Sequence, residues 1–366
     1  MSVSRLITQN FRNLKGDPIT FHPDNNFIIG ANGSGKSSLL EAIFFLGHGK
    51  SFRTTKVNTI VHHQEQKFVV SIRDLDQQQL GLSKDVNTGQ SDIKINSERF
   101  SRLSDLAKNI AVQIVTPESF KLFFGGPKER RKFIDLGLFH VKHDFSKQWR
   151  DFSRVLKQRN ACLRDSSKHS MLNYWTEVFC QQSELVAHSR DTYVSELKVE
   201  LQKWTDLLLP NISDQIRVQY LQGWSLNNSL ESVLSQNKER EIQHGFSLYG
   251  AQKFDVRFLL NKTSIDMLLS RGQQKLFLLA LTFAQAKLIE RVKRVKPILL
   301  IDDIGAELDI NSRTLLASAI DKLNCQVIIT AIDSFALKPL VLSNKEYKMF
   351  HVKHGEVLEI SDVDKC

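Results

Sequence analysis

Gly30-Ala31-Asn32-Gly33-Ser34-Gly35-Lys36-Ser37 matches the pattern G-x-x-x-x-G-K-[ST], and the rest of the chain is read outward from it. A short apolar run, Asn26-Phe27-Ile28-Ile29, precedes it as a strand, and residues 38–46 follow with the spacing of an amphipathic helix. Glycines let backbone N–H groups close around a triphosphate, and a helix start favours negative charge. On this reading Gly30, Ala31, Asn32, Gly33, Ser34, Gly35, Lys36 and Ser37 hold ATP. Lys36 reaches the outer phosphates as a catalytic cation, and Ser37 ligates Mg²⁺. The bland alternative is a Gly/Ser-rich turn, against which the flanking strand and helix argue.

Such a loop needs a carboxylate at the end of a neighbouring strand. Pro297-Ile298-Leu299-Leu300-Ile301-Asp302-Asp303 supplies one, an apolar strand closed by two acids. Asp302 is the candidate for water-mediated Mg²⁺ binding, and Asp303 for polarising the attacking water. Further upstream, Leu269-Ser270-Arg271-Gly272-Gln273-Gln274-Lys275 opens a long apolar helix over residues 276–289. Ser270 reads as its N-cap and Gly272 as a point of close backbone approach. With Gln273 they form a second candidate anion site, although a capped helix alone has the same signature.

The remainder predicts an α/β head split by helices. Strands are expected at residues 5–11 (an edge strand), 67–73, 92–96, 112–115, 216–220 and 254–259. Alternating helix and strand follow residue 270, and a hairpin turns at His354-Gly355. Between residues 128 and 209 the apolar spacing is helical, in one segment with Trp175, Val178, Phe179 and Leu185 and another with Val194, Leu197, Val199, Leu201 and Leu207. The expected domains are residues 1–127 with 211–366 as the head, and 128–210 as a helical insertion.

Fifty Lys and Arg against forty Asp and Glu give a net charge of +10, which favours an anionic partner. Residues 121–160 carry eleven of the cations and four acids, a net +7 in forty residues, although a solvated helix face reads the same way. Lys128, Arg130, Arg131 and Lys132 are the candidate contacts to a DNA backbone; one of the two arginines pairing with Asp135 is the alternative. Four scattered cysteines, with no C-x-x-C pair, exclude a disulfide framework and give no zinc signature. No apolar run is long enough for a bilayer span and the N-terminus lacks a signal-peptide core, so a cytoplasmic protein without membrane partners is expected.

Four elements in order carry a resemblance: the glycine loop, the acidic strand, Leu269-Ser270-Arg271-Gly272-Gln273, which is similar to the L-S-x-G-Q signature, and Gly305-Ala306-Glu307-Leu308-Asp309, which looks like a D-loop. Together they resemble the ABC ATPases, in which the signature closes over ATP on a partner subunit's loop, so the resemblance implies a head-to-head homodimer. Ser37 and Ser270 are 233 residues apart, too close for the long coiled coils of SMC proteins.

Further blocks resemble the RecF family of bacterial recombination mediators: Asn10-Phe11-Arg12-Asn13-Leu14, Gly47-His48-Gly49-Lys50-Ser51-Phe52-Arg53, Thr116-Pro117-Glu118-Ser119-Phe120, Gly125-Gly126-Pro127-Lys128-Glu129-Arg130-Arg131-Lys132-Phe133-Ile134-Asp135, Leu156-Lys157-Gln158-Arg159-Asn160 and Thr330-Ala331. The resemblance implies ATP-dependent clamping of single-stranded and gapped DNA at junctions. It also implies recombinase loading with RecR and RecO, and support of replication restart and the SOS response. Hydrolysis is expected to be slow, because Asp303 stands where most ABC ATPases have glutamate, and weakly DNA-stimulated as the resemblance implies. The chain departs from the family's G-P-H-[RK] block with Gly250-Ala251-Gln252-Lys253, and Ile329-Thr330-Ala331 offers no switch histidine. An ABC transporter subunit and a P-loop kinase are the rival readings. The basic insertion argues against the first, and the signature against the second.

Overall fold

Two sheets enclose the helix that follows the glycine loop. The structure, a computed structural model, describes residues 2–293, 295–305, 307–341 and 346–360. Ala306 of the expected D-loop and Cys366 therefore lie outside the described residues. One unit gathers residues 1–120, 204–210 and 270–366. Its first sheet runs in the order Glu356–Ile360, Tyr347–Lys353, Asn25–Ile29, Gln326–Ala331, Ile298–Ile301 and Val112–Val115. Every pair is parallel except the closing hairpin. Asn25–Ile29, Ile298–Ile301 and Gln326–Ala331 are buried at every position, as parallel strands covered on both faces must be.

The second sheet is antiparallel, and its strand Lys67–Arg73 buries alternate residues. Arg5–Gln9, expected at an edge, instead lies between Lys67–Arg73 and a two-residue strand, Ile19–Thr20. Strand Gln79–Asp85 escaped the sequence reading because only Leu80 and Leu82 mark its inner face among polar neighbours. The inner residues Phe68, Val70 and Leu82 share one core with Leu39, Ile43 and Phe45 of the loop helix Lys36–His48 and with Ile28, Leu300 and Ile328 of the parallel sheet. That helix was expected to be amphipathic. It is buried nearly all round, because a sheet covers each side of it. His48 at its end stacks on Phe44, and its Nε2 meets the Val112 carbonyl at 2.9 Å. Burial pushes its pKa down to about 4, so it is a neutral framework group.

The second unit comprises residues 121–203 and 211–269. Sequence reading placed 211–269 in the head because it contains strands. Those strands, Ile216–Leu221, Asp255–Leu260 and Thr263–Ser264, pair with one another in a separate three-stranded sheet. The two helical segments expected between residues 172 and 208 are one helix, Leu172–Leu208. It contains neither Gly nor Pro to break it, and Leu185 and Val199, read as core, are exposed.

Buried arginines organise this unit. Arg159 donates to Glu241 and Ser247, each at 2.6 Å, and to Thr176 at 3.0 Å. Arg190 makes a two-point bond to Asp135 (2.9 and 3.0 Å), donates to the Ala251 carbonyl at 2.7 Å and lies 3.7 Å over the Phe254 ring. Truncating one member of a buried pair strands the other's charge, whereas replacing both with apolar groups does not. Arg159→Ala is therefore expected to cost the second unit about 3–5 kcal/mol in urea unfolding, and Arg159→Met with Glu241→Leu much less. Equal losses in the two variants would show that a stranded charge is not the source of the cost.

Candidate functional site

Gly35 ends the loop at φ 122°, a conformation open to glycine, and no side chain caps the helix that starts after it. The first-turn N–H groups of that helix therefore face the loop with no side-chain acceptor. Lys36 Nζ donates to the carbonyls of Gly30 (2.5 Å) and Ala31 (3.0 Å). Burial pushes its ammonium pKa down, against the pull of Asp302 and Asp303. Asn13 braces the loop, donating to the Ser34 carbonyl at 3.3 Å and accepting from Ser38 Oγ at 3.0 Å. Ser34 Oγ is buried with no hydrogen-bond partner. Asn32, Gly33, Gly35, Lys36 and Ser37 line an open cavity of about 610 Å³. An uncapped helix start and a lysine around such a space suit a phosphate chain.

The parallel sheet brings the acids to this cavity. Ser37 Oγ donates to Asp302 Oδ1 at 3.2 Å across 265 residues of sequence, and Thr330 Oγ1 donates to the same oxygen at 2.7 Å. Asp302 is 8% exposed. Asp303 also lines the cavity, in the left-handed region at φ 55°, with Oδ1 buried and unpartnered. Its N–H donates to Thr330 Oγ1 at 2.9 Å. One serine and one carboxylate, already hydrogen-bonded to each other, are a donor set suited to Mg²⁺, which takes few protein oxygens and completes its shell with water and phosphate.

Ser270 caps the helix Arg271–Lys293 as expected, and Gln273 completes a reciprocal box. Ser270 N–H donates to Gln273 Oε1 at 3.0 Å, and Gln273 N–H to Ser270 Oγ at 3.3 Å. At Gly272 a Cβ would come within 2.8 Å of the Glu307 carbonyl, so glycine is what lets this helix approach the segment after the acids. Among the described residues that line the nucleotide-sized cavity, Ser270, Gly272 and Gln273 do not occur.

Several lining residues carry no role in the sequence reading. Arg12 makes a two-point bond to Glu41 (2.9 and 2.7 Å) and donates to the Thr59 carbonyl at 2.5 Å. Arg53 approaches the same carboxylate at 3.5 Å, and Ser51 donates to it. Arg12, Arg53, Thr59 and Val61 form the cavity wall beyond the loop. The available signal was Glu41, a carboxylate inside the apolar run of the loop helix, which is wholly buried and must be paired.

The four candidate DNA contacts divide. Arg130 makes a two-point bond to Asp255 (2.8 and 2.9 Å), and Arg131 donates to the Phe254 carbonyl at 3.0 Å, so both are framework groups of the second unit. Neither pairs with Asp135, which belongs to Arg190. Lys128 and Lys132 are exposed, with Lys132 held by Glu129 one turn away.

Known proteins resemble this chain along its length. The family model for the RecF/RecN/SMC N terminal domain matches residues 2–357. The DNA replication and repair protein RecF of Colwellia psychrerythraea is 62% identical over 372 residues, covering 99% of each chain. That of Pseudoalteromonas translucida is 40% identical, covering 98% of this chain and all of its own. Among solved structures, the recombination mediator protein RecF with ATP, of the RecFOR pathway, superposes with TM-score 0.83 over 98% of both chains at 24% identity. An Smc head bound to the C-winged helix domain of ScpA gives 0.57 at 18% identity, covering 100% of this chain and 98% of its own. An ABC-type head built around a glycine loop and a paired Ser37–Asp302, matched over its full length by these relatives, makes this chain a member of the RecF family of DNA replication and repair proteins.

Proposed function

We propose that the protein is an ATP-switched DNA clamp of recombinational gap repair, dimeric with ATP, acting at single-strand/double-strand junctions with RecR and RecO. One observation carries the dimer. The cavity holds the loop and the acids, whereas the capped signature residues Ser270, Gly272 and Gln273 are absent from its described lining, so each chain offers half of two sites. Ile310, Ile332 and Phe335, exposed in the same unit, are apolar surface suited to a second copy. A P-loop kinase has no use for such a signature. Among the described residues no helix is long and apolar enough to cross a membrane.

ATP supplies, when bound, the negative charge that Lys36 and the helix start receive and the anhydride that is hydrolysed. Ser37 and Asp302 offer Mg²⁺ two oxygens. Asp303 Oδ1, free of other partners, accepts a proton from the attacking water. An aspartate reaches one methylene less far than glutamate, which favours the slow, DNA-stimulated turnover of a switch.

The DNA surface moves from the helix Pro127–Val141 to the next one, Phe145–Arg164. Lys147, Arg150, Arg154, Lys157 and Arg164 are all exposed and fall within roughly 100° of helix arc at 3.6 residues per turn, opposite the buried Phe145, Phe152 and Cys162. Charge complementarity to a phosphate backbone is sequence-independent and salt-sensitive. Two paired copies double the surface offered to one strand.

Lys36→Met is expected to weaken ATP binding at least about tenfold in equilibrium titration, since it removes the charge at the phosphates; wild-type affinity in that variant would overturn the site. Asp303→Asn is expected to keep ATP and the dimer in sedimentation while hydrolysis falls by about 100-fold. Undiminished turnover would remove Asp303 from catalysis. Lys147→Glu with Lys157→Glu is expected to weaken DNA binding and lower the salt slope by about 2, with ATP affinity unchanged. An unaltered slope would place the DNA elsewhere.

A further inference from the structure

Lys275 lies one turn inside the signature helix and is 2% exposed, and its Nζ donates to the backbone carbonyl of Asp303 at 2.7 Å. Burial lowers the pKa of the ammonium, and the charges of Glu307, Asp303 and Asp302 oppose that shift. A charge this deeply buried is retained where its hydrogen bonds are fixed. The residue it holds is strained. Asp303 is a non-glycine residue in the left-handed region, with its N–H tied to Thr330 Oγ1 and its C=O tied to Lys275, which leaves the carboxylate Oδ1 unpartnered. The side chain assigned the proton of the attacking water is thus aimed by two bonds to its own backbone, one from the neighbouring strand and one from the signature helix.

The same helix carries Ser270 and Gly272 at its first turn, and residues 274–286 along it are buried. Packing of this kind transmits strain along the helix. We propose that Lys275 is a positioning residue that couples the two nucleotide sites of the dimer. Engagement of Ser270 at one site displaces the helix start, and Lys275 transmits the shift to Asp303 of the other site. The inference rests on the half-site reading above and adds the path by which one site sets the competence of the other. Thr330, standing where other ABC ATPases carry a switch histidine, completes the hold on Asp303 and bonds Asp302 as well.

The test is ATP hydrolysis by the full chain at protein concentrations that saturate dimerisation. Lys275→Met removes the donor at similar length. It is expected to lower kcat by about 10–100-fold, the cost of misplacing a reacting group, with KM for ATP within threefold and the melting temperature near wild type. Lys275→Arg, which restores a cationic donor, is expected to recover most of the loss. In combination, Ser270→Ala and Lys275→Met are expected to lose less than the product of their separate losses, the mark of two residues acting through one element. Should Lys275→Met fold poorly, Lys275→Gln is read by the same kcat and KM split. A kcat within twofold of wild type, multiplicative losses in the double variant, or parallel loss of kcat, KM and melting temperature without rescue by arginine would each overturn the coupling. Those outcomes leave the nucleotide site intact as long as Lys36→Met abolishes ATP binding. Absence of hydrolysis in the wild-type chain would overturn both.

Discussion

One oxygen holds the site together. Asp302 Oδ1 accepts from Ser37 on the loop helix and from Thr330 on the adjacent strand, inside a region where the carboxylate is almost fully buried. An ionised group in such a place is tolerated when donors are already arranged around it. The sheet provides that arrangement by its order. Ile298–Ile301 lies beside Gln326–Ala331, which lies beside Asn25–Ile29, all parallel, so three carboxyl ends reach one edge. Ligands bind at that edge in open parallel sheets, and here the loop, the acids and Thr330 all leave from it. The enclosing sheets bury the loop helix nearly all round and so fix the direction in which its uncapped start points.

What the sequence revealed and what it hid follow from the range of the interaction involved. The loop, the acidic strand, the cap at Ser270 and the hairpin at His354-Gly355 are local patterns, and each is formed within a few residues of where it was read. Arg12 with Glu41, Arg130 with Asp255 and Arg190 with Asp135 join residues 29, 125 and 55 positions apart. No spacing rule reports such a pair. Unit membership has the same character: the strand pattern of residues 216–221 and 255–260 was visible, but the choice of partner strand is a tertiary fact. Strand Gln79–Asp85 stayed hidden because two leucines among polar residues carry too weak an alternation.

The basic excess therefore serves two physically different ends. Arg130, Arg159 and Arg190 use the planar fork of guanidinium to satisfy carboxylates inside the second unit, a geometry that lysine does not reproduce. Their charge is neutralised in place and adds nothing to an external field. Lys147, Arg150, Arg154 and Lys157 keep theirs at the surface, where it attracts a polyanion over about a Debye length. Counting charges along the sequence merges the two groups, and burial separates them.

Thr330 shows how a small substitution of chemistry reshapes control. A histidine after the core strand senses a phosphate by its own ring; a threonine has no such reach, and here it bonds inward to both acids. Sensing then has to come from elements that touch Asp303 from elsewhere. Lys275 is placed for this, because its helix begins with the residues proposed to meet the other copy's nucleotide and packs through Gly272 against the segment after the acids. The left-handed backbone of Asp303 costs on the order of 1 kcal/mol, enough to make its alignment depend on both bonds. A carboxylate that is aligned only while two elements agree turns over slowly in isolation and faster when assembly brings them into register, which is the behaviour a DNA-loaded switch requires.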